Sequence, residues 1–153
     1  MKVSDIAVHH AASSDAARME DIKRYHVEVL GWRDVGYHYL IELDGTLRVG
    51  RPANQVGAHV GQYNSNFFKR TYILGVCILG NTHNRPMTAA QRRTLVQLLA
   101  ILCKRHGLGI ANVKMHRQIM PGLTECPGRY TVADFPAICN EVAAYLPERR
   151  LAA

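Results

Sequence analysis

The run Tyr72-Ile73-Leu74-Gly75-Val76-Cys77-Ile78-Leu79 constrains the fold of this chain most. It is apolar on both parities, whereas a strand with one solvated face alternates. A run of this kind predicts a central strand covered on both faces. Strand and helix signals surround it. Val3 to Val8 reads as a short first strand, and Asp15 to Leu30 as a helix, with Met19, Ile22, Tyr25 and Val29 at helical spacing and Gly31 as its stop. Tyr37 to Leu43 and Thr46 to Arg51 flank Asp44-Gly45, a strong hairpin signal. Thr88-x-x-Gln91 forms a capping box before a helix whose apolar face is Leu95, Leu98, Leu99, Leu102 and Cys103, ending at Gly107. Ile110 to Met115 reads as a strand. Thr131-x-x-Asp134 opens a last helix with Phe135, Ile138, Cys139, Val142 and either Tyr145 or Leu146 on its buried face. Loose alternation of strands and helices around a hairpin predicts the α/β class: one domain over residues 1–153, a central mixed β-sheet covered by helices.

Composition narrows the function classes. The apolar runs are far too short to cross a bilayer, so no membrane insertion is expected. Lys2, Ser4, Asp5 and the His9-His10 pair break any secretory leader, which predicts a cytoplasmic chain as synthesised, with delivery left to another factor. The net charge of +7 favours anionic partners. Its cations are scattered, densest at Arg92-Arg93, Lys104-Arg105 and Arg149-Arg150, with no basic stripe carrying interleaved aromatics. Nucleic acid is therefore not expected as the main partner. A monomer is the working expectation.

Of the four cysteines, Cys77, Cys103 and Cys139 sit inside apolar patterns and read as core. Cys126 does not, because it lies between Glu125 and Pro127 in a turn-rich segment. With the His9-His10 pair that closes the first strand and the lone His116, it gives two imidazoles and one thiolate. Three such ligands leave one tetrahedral position open, the arrangement of a catalytic zinc. Neighbours on a strand point to opposite faces, so one of His9 and His10 is the candidate ligand while the other packs, caps a loop or supports the site. Pro121-Gly122 lets a loop carry Cys126 back towards His116. A cysteine hydrolase, with Cys126 as nucleophile and His116 as base, is the rival on these residues.

Between the first histidine and Cys126 stand, in order, Gly36-Tyr37-His38-Tyr39, Asp44-Gly45-Thr46, Gly50-Arg51, Gly57-Ala58-His59, Tyr63-Asn64 and Gly75-Val76. In this ordered set, from about Ile6 to Pro127, the chain resembles the zinc-dependent N-acetylmuramoyl-L-alanine amidases of type 2. That family includes short phage lysozymes of the amidase kind and animal peptidoglycan recognition proteins. The resemblance implies one Zn2+ held by His9, His116 and Cys126, with Tyr37 as the catalytic tyrosine. Thr124 stands where phage members carry a lysine and recognition-protein amidases tend to carry threonine, and is the second candidate catalytic residue. His59, Asn64 and Arg51 are the candidate contacts to glycan or peptide. The implied reaction is hydrolysis of the amide between N-acetylmuramic acid and L-alanine in peptidoglycan, a partner that suits a diffuse positive charge. A phage-type endolysin is the expected setting. A cytosolic muropeptide-recycling amidase and a non-catalytic peptidoglycan-binding module are the alternatives.

Overall fold

The computed structural model describes residues 1–147. Six strands form one mixed sheet: β1 (Lys2–His10), β2 (Tyr39–Ile41), β3 (Leu47–Val49), β4 (Ser65–Asn66), β5 (Thr71–Ile78) and β6 (Val113–Met115). The order is β3-β2-β5-β1-β6, and β4 pairs with the start of β5. β1, β2, β5 and β6 run parallel, while β3 and β4 are antiparallel to their neighbours. From Tyr72 to Ile78, β5 is buried without interruption, as its unalternating sequence predicts.

Alternation along the strands gives the two faces different contents. Ile6 and Val8 of β1, with Leu74, Val76 and Ile78 of β5, face α2 (Ala89–His106) and α4 (Arg129–Ala144). Leu95, Leu99, Leu102, Phe135, Ile138 and Val142 complete that aliphatic core. On the other face, Ala7 and Ile73 pack with Val60 beside Ile119 and Met120, and Cys77 and Leu40 pack beneath Met19 and Ile22. The cover here is thinner: α1 (Met19–Arg24), its continuation as a π-helical turn (Tyr25–Val29), α3 (His116–Ile119) and loops. Among the described residues no helix is long and apolar enough to cross a membrane.

Several sequence signals hold to the atom. The Thr88 hydroxyl accepts from the Gln91 amide while the Gln91 side chain accepts from the Thr88 amide, and Gly107 closes α2 at φ 65°. Leu146, not the exposed Tyr145, packs on the core beyond α4.

Other expectations are corrected. The helix expected from Asp15 starts only at Met19, because the Asp15 carboxylate is engaged by Arg85 rather than by a helix amide. The hairpin strands are shorter than expected, although the Gly50 and Arg51 amides still bond back to His38 and Tyr37 carbonyls. Residues Ile110–Asn112 make a 3-10 turn, so β6 begins at Val113. The last helix begins at Arg129 after Gly128, not at Thr131: Thr131 is buried in its first turn and Asp134 pairs with Arg92.

Candidate metal centre

The carboxyl ends of β1 and β6 bring the predicted ligands together. His9 lies on the thinly covered face, on the same parity as Ala7, and is 1% exposed. β6 passes directly into α3, whose first residue is His116, and the Gln118 side chain accepts the Met115 amide at that junction. The loop beyond α3 returns as its Pro-Gly pair suggests. The Arg117 amide donates to the Cys126 carbonyl at 3.0 Å, and the Cys126 amide donates to the Thr124 hydroxyl at 3.1 Å. Gly128 then packs against the backbone of Thr82 and His83, where a β-carbon would approach within 2.7 Å. The donor atoms of His9, His116 and Cys126 all lie within 4.8 Å of one another, and His9 Nδ1 is 3.7 Å from Cys126 Sγ.

Hydrogen bonds fix which nitrogen of His9 is offered. His59 Nε2 lies 3.1 Å from the Ile73 carbonyl, which can only accept, so that nitrogen carries the proton. His59 Nδ1 is then an acceptor, and it sits 3.0 Å from His9 Nε2. His9 Nε2 therefore donates, leaving the Nδ1 lone pair turned towards Cys126. This is how an outer residue orients a metal ligand. Gly75 and Gly57 make room for the relay, because a β-carbon on either would come within 2.7 Å of the His59 ring.

Burial keeps these groups in their neutral forms. Desolvation pushes His9 well below the usual histidine range, with help from His59, His116 and His10, and lowers His116 as well. His59 is held at about 3, first by burial and then by His38. Both ligand imidazoles thus offer lone pairs at neutral pH. Burial pushes the Cys126 thiol up to about 12, so the metal-free cysteine keeps its proton. The same cause, reinforced by the Cys77 and Cys126 thiols, raises the Tyr37 phenol well above its usual value and preserves it as a donor.

An open cleft of about 520 Å³ leads to the cluster, lined in part by Tyr37, His116, Thr124 and Cys126. The Tyr37 and His116 rings stand 5.1 and 4.5 Å from that of His9. His10, on the opposite parity, lines the cleft and accepts the Thr82 amide through Nδ1 at 3.2 Å. The three residues expected to touch substrate each make hydrogen bonds within the chain. His59 has both nitrogens in the relay. The Arg51 guanidinium donates to the Val35, Val56 and Asp34 carbonyls. The Asn64 carbonyl oxygen accepts the His59 and Val60 amides. Sequence reasoning missed the rim formed by Asn81, His83, Asn84 and Glu125, where His83 and Glu125 stand 3.9 Å apart. The polar run Asn81-Thr82-His83-Asn84 after the central strand was the available signal.

Residues 1–129 match the sequence profile of the N-acetylmuramoyl-L-alanine amidases. The chain is 35% identical over 134 residues to peptidoglycan-recognition protein SC2 of Drosophila melanogaster, covering 82% of this chain and 68% of that protein. It is also 35% identical over 130 residues to the endolysin of Escherichia phage T7, covering 80% and 78%. Among solved structures it resembles the N-acetylmuramoyl-L-alanine amidase LysC from Clostridium intestinale URNW. The TM-score is 0.78 at 28% identity, covering 92% of this chain and 87% of that one. With its ordered motifs, mixed sheet and profile match in agreement, the chain belongs to the type 2 N-acetylmuramoyl-L-alanine amidase family, which shares its fold with the peptidoglycan recognition proteins.

Proposed function

We propose that this chain is a zinc-dependent peptidoglycan amidase that cleaves the bond between N-acetylmuramic acid and L-alanine. One observation carries the reading: two neutral imidazoles and one thiol converge within 4.8 Å beneath a protonated tyrosine, at the floor of an open cleft. The donor set fits zinc. Bonds of about 2.0–2.3 Å to tetrahedral nitrogen and sulfur ligands imply donor separations near 3.5 Å, close to the 3.7 Å between His9 Nδ1 and Cys126 Sγ. His116 and Cys126 both line the cleft, so a metal held by this set would be reached from it.

His9, His116 and Cys126 would hold the zinc, which when bound would supply Lewis-acid polarisation of an amide carbonyl and a nucleophile from water at neutral pH. The protein supplies orientation and proton placement. His59 and the Ile73 carbonyl hold His9 in the tautomer that offers Nδ1. Tyr37 keeps its proton and donates it in a hydrogen bond to the oxyanion that develops as the carbonyl becomes tetrahedral. Thr124, with no positive charge to offer, orders Cys126 by accepting the Cys126 amide and forms part of the cleft wall.

The raised Cys126 thiol weighs against the cysteine hydrolase, which needs a thiolate without metal. The intact ligand triad weighs against a purely binding module. The endolysin setting is favoured over muropeptide recycling by the likeness to the phage T7 endolysin along 78% of its length. Digestion of purified peptidoglycan followed by mass spectrometry tests the reaction. Stem peptides with a free L-alanine amino terminus are expected. New reducing sugar ends without such termini would replace the amidase by a glycosidase, and absence of any product from zinc-loaded protein would leave a binding module.

A further inference from the structure

The turn joining β4 to β5 holds two phenylalanines in solvent: Phe67 is 85% exposed and Phe68 is 99% exposed. Single exposed apolar residues are ordinary, but an adjacent pair at the tip of a turn is not. The exposure belongs to a defined backbone. The Lys69 amide donates to the Asn66 side chain at 2.9 Å, the Arg70 amide to the Phe67 carbonyl at 3.2 Å, and the Lys2 amide to the Arg70 carbonyl at 2.8 Å. Arg70 itself takes a left-handed conformation at φ 53°, which is unfavourable for a residue with a side chain.

Cations ring this tip. Among the described residues, Lys2, Lys69 and Arg70 form no ion pair, a state they share with Arg33, Arg51, Arg93, Lys104, Arg105, Arg117 and Arg129; what sets them apart is their place beside two exposed rings. Tyr63, 44% exposed, borders with Lys69 a groove of about 910 Å³ beside the turn. Exposed aromatic rings flanked by unpaired cations match the headgroup region of an anionic bilayer, where rings enter the apolar boundary and Lys and Arg meet lipid charge. A convex pair of rings suits that yielding surface better than a folded protein, whose standard interface takes about 800 Å² from each partner.

The position in the sheet gives such docking an orientation. Lys2 pairs with Thr71 at the tip, while His9 pairs with Cys77 seven residues further along β1. The register shifts between Val3 and Asp5, so the same span is six residues of β5, and at strand rise His9 lies about 20 Å away, towards the opposite end of the sheet. We propose that the Phe67–Phe68 tip, with Lys2, Lys69 and Arg70, seats the chain on an anionic lipid surface and turns the catalytic cleft away from it.

Co-sedimentation of the whole chain with vesicles tests this without substrate, so it can fail or succeed independently of the amidase reading. Binding is expected to vesicles of phosphatidylglycerol in phosphatidylethanolamine, at least tenfold tighter than to phosphatidylcholine alone. F67S/F68S and K69E/R70E should each weaken it at least tenfold, with circular dichroism and zinc content unchanged. Raising the salt to 1 M, which shortens the screening length to about 3 Å, should weaken the wild type. Wild-type protein that stays in solution with both vesicles, binds both equally, or is matched by the two variants would overturn the proposal.

Discussion

The two faces of the sheet are made from the same strands but hold different materials. Towards α2 and α4, β1 and β5 send Ile6, Val8, Leu74, Val76 and Ile78 into an aliphatic core. Towards the thin face the same strands send Ala7, His9, Gly75 and Cys77, with buried imidazoles above them. Strand alternation thus sorts volume to one side and lone pairs to the other. The lesson is a division of labour: the thick face stabilises the sheet, and that stability lets the thin face bury uncharged histidines in a fixed geometry.

Substitutions on the two faces should separate accordingly. The largest effect is expected from Cys126→Ser, which should abolish zinc retention and turnover together while the fold survives, as read by metal analysis and circular dichroism. Next, Tyr37→Phe should keep zinc and lower kcat by about 10²–10³, the range for removal of one oxyanion donor. Full activity in that variant would take the tyrosine out of the reaction. On the other face, Leu99→Ala should cost about 2–5 kcal/mol in denaturant unfolding through the cavity it leaves, with zinc affinity unchanged in the folded protein. A matching loss of zinc affinity would break the division between faces.

The relay sharpens the comparison further. His59→Phe removes both polar atoms and should weaken zinc binding about 10- to 100-fold, as loss of an outer partner does. His59→Gln, which can accept from His9 and donate to Ile73, should recover much of it. Equal losses in both variants would make His59 a packing residue. The smallest effect is expected for Thr124→Ala, below about tenfold in kcat/KM, because backbone bonds such as Arg117 to Cys126 still hold the loop. A loss as large as that of Tyr37→Phe, with zinc kept, would move Thr124 into the reaction.

What was legible in the sequence was local or periodic. The Thr88 box, the Asp44-Gly45 turn and the unalternating central strand each declare themselves within a few residues, and each stands in the structure. The His9, His116 and Cys126 cluster, which could hold a metal, was legible because a thiol in a turn and a histidine at a strand end lack good structural reasons to be there. What failed was non-local. Asp15 looks like a helix start until Arg85, seventy positions away, takes its carboxylate. Thr131 looks like a cap until Gly128 carries the chain into the helix three residues earlier. For His59, Arg51 and Asn64 the motif order was legible, whereas their bonds to Ile73, Val35, Val56, Asp34 and the His59 and Val60 amides exist only in the folded chain; their contact with substrate is a proposal and not among the failures.

The most direct test of the central claim is metal dependence of stem-peptide release from peptidoglycan. The account predicts that a chelator stops release, that one zinc per chain restores it, and that metal loading at pH 7 releases about one proton, because Cys126 holds one without metal while the ligand histidines do not. Release that survives the chelator and ends with thiol alkylation would contradict it and make Cys126 the nucleophile.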